Sequence, residues 1–514
     1  MEKPRIGIHI FRRDLRIEDN INLDQLSENV DMIVPVFLLS KHQIITNRLR
    51  NDNFVQFMLE SLEDLDQRLG GKLLLLNDFD MEDAEIKNLK VISDLLDLLG
   101  ADVSYMSFMS DYTLYSKLRD EKIKKLATDS QYNIKIINSE DTMLNPVSQN
   151  IRTDTGKVYQ KFTPYYNKVT SQPYFGDLQR SLHRTDKSPE IQKKIDLFWD
   201  HATKLNLKNT KHEGNKFVHI REMIQKKIDF SPITSEERKK GGRTQGLSIL
   251  KNIREKKFKN YETERDYPAK SQTTRISAYL KMGCLSIREV AKTVLATDNM
   301  PLFRELIWRD FYYSIAYHFP HVLLPFNDKN YNGKRNFDKS QPRWKNTEDP
   351  QVRENLEKWK TGQTGFPIVD AGMRQLNSIG WMHNRIRMVV ASFLIKDLGI
   401  SWQEGEKYFA EKLIDYDPCQ NNGGWQWTNG TGVDSQPYNR IFNPWEQAKK
   451  WDPQAEYIKY WVPELSFYPN EAIFNWDKVH EEIIRIKKLT GKKYYFPPMV
   501  NHSDARKEYL DSFS

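Results

Sequence analysis

Strand-length apolar runs alternate with helix-period segments over the first 140 residues, and nothing else in the chain limits its fold as tightly. IGIHIF (residues 6–11) and MIVPVFLL (32–39) are short runs rich in β-formers. FVQFMLESLEDLDQRLG follows with helical period and is stopped by Gly70 and Gly71, after which KLLLL reads as a buried strand. VISDLLDLLG is helical, VSYMSFM a strand, SKLRDEKIKKLA a helix and NIKIIN a last strand. Strands separated by helices pair in parallel through right-handed crossovers, so residues 1–140 are predicted to form an α/β domain with a doubly wound parallel sheet. No GxGxxG follows the first strand and no Walker loop occurs anywhere, which excludes nucleotide sites of those two kinds.

Residues 141–247 read as a connector, basic and partly helical, and residues 248–514 as a mostly α-helical domain with Trp- and Tyr-rich faces. The formal charge of +8 is unevenly spread: Asp177 to Asn260 holds 21 Lys and Arg against 11 Asp and Glu, which leaves the rest of the chain at about neutrality. A lysine-rich connector is commonly a solvated surface, so any nucleic-acid argument must rest on individually placed arginines. RKKGGR within it is a weak nuclear-import pattern, and cytoplasm versus nucleus stays open. Cys284 and Cys419 cannot make a disulfide framework or a zinc site, so a reducing compartment and metal-free chemistry are expected. Without a signal peptide or a bilayer-length apolar run, the expectation is a soluble intracellular protein with no membrane partner.

Chemistry concentrates between residues 381 and 427. Read at 100° per residue, GWMHNRIRMVVASFLIKDLGISW is a helix whose start puts Trp381, Asn384, Arg385 and Met388 on one face. An indole, an amide and a guanidinium make an unusual core stripe. Arg387 lies off that stripe, near a helix start where a cation is poorly served by the dipole, and Asp415 and Asp417 are its nearest anionic candidates by order. Asn421, Asn422, Gly423 and Gly424 are predicted to turn, letting amides and bare backbone approach something flat and polar, with Trp425 and Trp427 directly after. Upstream, ELIWRDFYY puts Glu305, Trp308, Arg309 and Tyr312 on one helical stripe, which suits a flat polar ligand beside phosphate. Alone, such a stripe is more often a salt-bridged helix with an aromatic staple.

Four ordered segments, ELIWRDFYY, TGFPIVDAGMRQLN, GWMHNRIRM and DYDPCQNNGGWQW, resemble those of the DNA photolyase and cryptochrome flavoprotein family, most closely class I cyclobutane pyrimidine dimer photolyases. The likeness is dense in the C-terminal half and looser over the first forty residues, where RRDLRIEDN resembles the family's N-terminal signature. It implies an α/β domain that supports an antenna chromophore, folate or deazaflavin, and a helical domain that binds FAD, working as the reduced anion FADH−. Tyr115 and Ser116 stand where folate-type enzymes have an Asn-Glu pair, so the antenna's identity and presence stay open.

By the same resemblance, Tyr261 and the segment Thr273, Thr274, Arg275, Ile276 and Ser277 meet the flavin phosphates, although hydroxyls at a helix start are usually only caps. Arg387, Asp415, Tyr416 and Asp417 lie at its ribose or ring edge, and Asn421 faces its N5, where an uncharged amide can accept a hydrogen bond. Most of twelve tryptophans pack cores, but Trp425, Trp402 and Trp344 match the family's electron relay by order. Glu305, Trp308, Asn384, Met388 and Trp427 match the pocket for a flipped-out thymine dimer, with Arg265, Arg309, Arg385 and Arg440 on the flanking phosphates. The partner implied is damaged DNA containing pyrimidine dimers, met by a monomer without a metal.

Two other readings share the fold. A blue-light photoreceptor is opposed by Asn421, which is Asp or Cys in signalling cryptochromes, and by the short C-terminal stretch. A (6-4) photoproduct lyase is opposed by Asn384 and Met388, because such enzymes carry histidines in this helix. His383 alone points about 100° away from Asn384 and reads as structural.

Overall fold

The computed structural model describes residues 3–47, 49–81, 87–149, 151–171, 173–182, 184–204, 215–323, 342–489 and 494–513. The chain divides into two compact units, Met1–Pro232 with Lys240–Lys257 and Arg275–Pro320, and Ile233–Lys239 with Phe258–Thr274 and His321–Ser514.

The first unit is built on the expected parallel sheet. Its strands β1 (Ile6–Phe11), β2 (Met32–Leu39), β3 (Leu74–Asn77), β4 (Val103–Phe108) and β5 (Lys135–Ile137) lie in the order β3-β2-β1-β4-β5. Every residue of β1 is buried, as a strand covered on both faces requires. Pro35 sits in β2 without breaking the sheet, because β3 joins β2 only from Val36 onward. The crossovers include α1 (Ile21–Ser27), α2 (Asp52–Arg68), α3 (Lys87–Leu99) and α4 (Leu114–Ala127). Further along lie α5 (Phe162–Thr170), α6 (Ser188–Lys204) and α7 (Met300–His318).

The connector is not a free-standing linker. Helix α6 packs on β2, and its Phe198 and Ala202 join the sheet core formed by Ile8, Val36 and Met106. Each large apolar side chain buried there contributes about 1.5–3 kcal/mol. The sheet order switches between β1 and β4, where doubly wound sheets hold ligands past their C-terminal ends. Here Arg12 lies 4.2 Å over the Phe108 ring and donates to the Met109 carbonyl, while Arg13 pairs with Asp111.

The second unit is helical: α8 (Pro367–Ile379), α9 (Asn384–Ser392), α10 (Trp402–Lys412), α11 (Pro418–Asn429) and α12 (His502–Asp511) surround a core that includes Trp359, Met373, Ile386 and Phe393. Gly372 on α8 allows α9 to approach, since a Cβ there would meet Ile386 at 2.4 Å. Helix α9 begins later than its periodicity suggests. Its N-cap is His383, whose Nδ1 accepts from the Arg385 N–H, and the α8 helix ends in left-handed Gly380, so Trp381 lies outside the helix and does not share its face with Asn384 and Met388. The buried His383 is a cap, as its structural reading requires.

The run 421–424 is not a turn either. Asp417 caps α11 by accepting from the Cys419 N–H, Pro418 occupies its first position, and the helix continues through both glycines to left-handed Gly430. Packing of α11 on α10 overrides the weak helix propensity of the glycines.

A π-helical turn, Phe393–Asp397, continues α9 and packs against α12. It buries Lys396, whose amine donates to the Arg440 carbonyl at 2.8 Å, and burial pulls that amine from its ordinary 10.5 down to about 7. Between about pH 7 and 10.5 the unfolded chain therefore holds more protons than the folded one, and stability from this site rises with pH across that window. Denaturant unfolding of parent and Lys396→Met at pH 7 and 9 should show the difference moving in the parent's favour at pH 9; a pH-independent difference would show that the amine does not titrate there. Among the described residues no helix is long and apolar enough to cross a membrane.

Candidate functional site

The second unit joins Arg387 to Asp415 and places Tyr416, Asp417 and Asn421 directly after it in the chain, at the start of α11. Arg387, in the first turn of α9, donates through Nη2 to both Asp415 oxygens at 3.2 and 2.9 Å and through Nε to the Met382 carbonyl. The predicted partnership is thus with Asp415. Asp417 instead serves as the cap of α11, which sets the direction of the helix that follows. The Asp415 side chain is only 4% exposed, so this ion pair lies largely out of water on its acidic side.

Asn421 projects from the first turns of α11, and its Nδ2 donates to the Glu406 carbonyl of α10 at 2.9 Å. That bond fixes the amide with its oxygen as the group left to accept from a ligand. The Glu406 carboxylate accepts from Asn422 at 2.8 Å, and Asn422 in turn accepts from Gln426, so a buried amide row holds this part of α11. Glu406 carries no signal in the sequence, because half of its contribution is a backbone carbonyl. An uncharged acceptor beside a buried Arg–Asp pair fits a flavin whose N5 carries a proton and whose reduced ring carries negative charge.

The tryptophans named as a relay run along α10. Trp425 on α11 abuts Gly405, where a Cβ would lie 2.0 Å from its ring, and Trp402 sits one turn earlier on the same helix. Lys345, next to Trp344, donates its backbone N–H to the Gly399 carbonyl and lays its side chain over Gly399, three residues before Trp402. Trp402 is 1% exposed, Trp425 3%, and Trp344 only partly buried, so the series runs from interior to periphery. Trp359, absent from the predicted set, meets Trp425 at 6.3 Å between ring centroids.

Asn384 and Met388 share a face of α9 at i and i+4; Asn384 is exposed and Met388 half-buried, as is Trp427 on α11. Arg385 pairs with Asp266 at 2.8 Å and lies 4.5 Å over the Trp451 ring. Arg265 stacks 5.7 Å from the Tyr261 ring centroid, and Tyr261 is buried. Arg440 is exposed in the loop after α11. Tyr416 is half-buried beside Asp415. Thr273 and Thr274 belong to this unit and lie outside any helix.

In the first unit, Arg275 adopts a φ of 52°, a left-handed backbone that costs a side-chain-bearing residue roughly 1–2 kcal/mol. Ile276 and Ser277 follow, with Ser277 exposed at the start of a five-residue helix. On α7, Glu305 and Trp308 are both half-buried. The Trp308 ring lies face to face with Phe162 of α5, centroids 3.6 Å apart and planes 5° from parallel, so at most one of its faces remains for a ligand. Arg309 does not stand free for phosphate: its guanidinium donates to the carbonyls of Thr142 and Leu280 and lies 4.8 Å over Tyr313. Spacing along one helix could not reveal acceptors 29 and 167 residues away.

On helix α4, the Ser116 backbone N–H donates to the Thr113 hydroxyl, its own hydroxyl accepts from Thr113 at 2.8 Å and donates to Asp111, and Tyr115 stacks on His42 at 5.5 Å.

Comparison with known proteins adds independent evidence. Residues 302–514 match the family described as FAD binding domain of DNA photolyase, and residues 7–187 match DNA photolyase. A protein of Buchnera aphidicola named deoxyribodipyrimidine photo-lyase is 32% identical over 98% of this chain and 95% of its own length. Among solved structures, a class III photolyase of Agrobacterium tumefaciens superposes with a TM-score of 0.77 at 27% identity, covering 100% of this chain and 98% of that one. An archaeal photolyase of Sulfolobus tokodaii, solved with two FAD molecules, gives 0.70 at 32% identity over 98% and 100%. A Synechocystis cryptochrome gives 0.75 at 25% identity over the full length of both.

Proposed function

Because this chain belongs to the DNA photolyase and cryptochrome family, we propose that it is a light-driven deoxyribodipyrimidine photo-lyase that opens cyclobutane pyrimidine dimers in DNA. The observation that carries this reading is the amide of Asn421, held by Glu406 so that an uncharged acceptor is presented where a photoreceptor would have an acid or a thiol. When held by these residues as its reduced anion, FAD would supply the light-driven one-electron chemistry by which two carbon–carbon bonds of the dimer open without net redox change.

The chain's own residues hold and orient. Arg387, Asp415, Tyr416, Asp417 and Asn421 take the flavin's ring and ribose side, and Tyr261, Thr273, Thr274, Arg275, Ile276 and Ser277 its phosphates. Trp425, Trp402 and Trp344 carry electrons from the periphery to an oxidised flavin. Trp427 and the one face of Trp308 that Phe162 leaves open cover the dimer and offset the few kcal/mol of unstacking. Asn384 reads a pyrimidine edge with Met388 packed beside it, and Glu305 hydrogen-bonds the carbonyl that gains charge. Arg265, Arg385 and Arg440 meet phosphates, Arg385 by exchanging its Asp266 pair for a phosphate oxygen; Arg309 is withdrawn from that set because its guanidinium serves two backbone carbonyls. A light-harvesting second chromophore remains part of the reading, with folate and deazaflavin both open, and the protein acts as a monomer.

Glu305→Ala is expected to keep FAD and to lose repair. A hydrogen bond to a charged group contributes about 1.5–3 kcal/mol, so the yield per absorbed photon should fall severalfold or more while the flavin spectrum stays unchanged. Equal yields in parent and variant would remove Glu305 from the mechanism. The binding half of the proposal is tested in the dark with duplexes that differ only in a central thymine dimer. The damaged duplex should bind more tightly, and with three phosphate contacts log K should fall with log salt at a slope of about −3. Indifference to the dimer would favour the photoreceptor reading.

A further inference from the structure

We propose that helix α12, together with Phe513 behind it, is the positioning element of the loop that carries Arg440. The inference rests on the DNA contact given to Arg440 above. Residues 437–440 are exposed, and a loop that must meet phosphate binds more tightly when its shape is fixed beforehand.

Two grips hold this loop two residues apart. On one side the Phe513 ring stacks on Tyr438, centroids 4.6 Å apart and planes 38° apart, and Tyr509 of α12 packs edge-on against Phe513 at 5.3 Å. On the other side buried Lys396 donates to the Arg440 carbonyl at 2.8 Å, and its Nζ lies 6.0 Å from the centre of the Tyr509 ring. Arg440, Lys396, Tyr509, Phe513 and Tyr438 thus close a ring of contacts in which α12 supplies the far wall.

The helix is itself anchored, so it can serve as a wall. At its start His502 pairs with buried Asp397, the residue after Lys396. At its end the Ser512 carbonyl accepts from the Arg343 N–H at 3.2 Å, and Glu508 pairs with Lys345 at 2.9 Å. Trp344 stands between those two partners, so the anchor on this side is the segment that bears the outer tryptophan. None of these contacts uses the Arg440 guanidinium, which lies 5.7 Å from the Phe442 ring centroid, so the backbone is held by groups other than those that hold the cation.

The test compares the full-length, FAD-loaded parent with Phe513→Ala, Lys396→Met and Phe513→Tyr. Loss of one aromatic pair is expected to weaken binding of a dimer-bearing duplex about threefold to tenfold, with repair at saturating duplex and flavin content unchanged, and Phe513→Tyr should restore binding. Amide hydrogen exchange over residues 431–440 should quicken in Phe513→Ala and Lys396→Met without any DNA present. Unchanged exchange in both variants would overturn the proposal, as would weakened binding that Phe513→Tyr fails to restore. Should Arg440→Ala bind the duplex as tightly as the parent, the DNA role of Arg440 fails, and the exchange measurement still decides whether α12 fixes the loop.

Discussion

Trp402→Phe is expected to stop light-driven reduction of the oxidised flavin while leaving repair by chemically reduced protein intact. Trp402 is almost fully buried on α10, with the Trp425 ring seated at Gly405 on one side and Gly399, covered by the side chain next to Trp344, on the other. Phenylalanine keeps most of the packing but is much harder to oxidise, and every 1.4 kcal/mol added to a step slows it about tenfold. Illumination with an external electron donor, followed by flavin absorbance, should show reduction in the parent and essentially none in the variant. The same variant, reduced with dithionite, should repair at the parent rate. Normal photoreduction would mean that electrons reach the flavin by another route, and Trp359, 6.3 Å from Trp425, would be the first residue to replace next.

Arg387→Ala should have the largest effect on the folded protein. Removing the guanidinium takes from the Asp415 carboxylate, 4% exposed, the two bonds it accepts from Arg387 Nη2, and breaking a buried pair in this way costs about 3–5 kcal/mol. Arg387 itself is 26% exposed, which lets water reach the site and places the expected loss toward the lower end of that range. The predicted outcome is a lower melting temperature and loss of FAD on gel filtration. Adding Asp415→Asn should recover much of the melting temperature without recovering FAD, which separates the cost of a stranded charge from loss of the cofactor's ligands. Retention of FAD by the single variant would remove Arg387 from the flavin site.

The sheet was legible because its strands are short apolar runs bounded by turn residues, and β1, β2 and β4 fall within a residue of their expected limits. The Arg387 partnership was legible as well, since a cation near a helix start needs an anion and Asp415 was one of the two carboxylates named for it. The start of α9 was not, because an imidazole cap and a left-handed glycine outweighed the periodicity that seemed to include Trp381. Asn421 to Gly424 looked like a turn by composition, yet an aspartate cap, a first-turn proline and close packing on α10 make it helix. Arg309, Phe162 and Glu406 depended on acceptors or rings supplied from distant sequence, and such partners leave no local pattern. The basic connector concealed its apolar stripe in the same way: charge dominates its composition, while Phe198 and Ala202 of α6 fill the sheet core.

One measurement bears most directly on the assigned activity. The purified protein, with its flavin fully reduced under argon, is mixed with an oligonucleotide carrying a single cyclobutane thymine dimer, illuminated with near-UV or blue light, and the nucleotides are resolved by chromatography. Restored thymines that accumulate with light dose and are absent in the dark are the expected result. Dimers left intact by a fully reduced, FAD-loaded protein would contradict the assignment and leave the photoreceptor reading in its place.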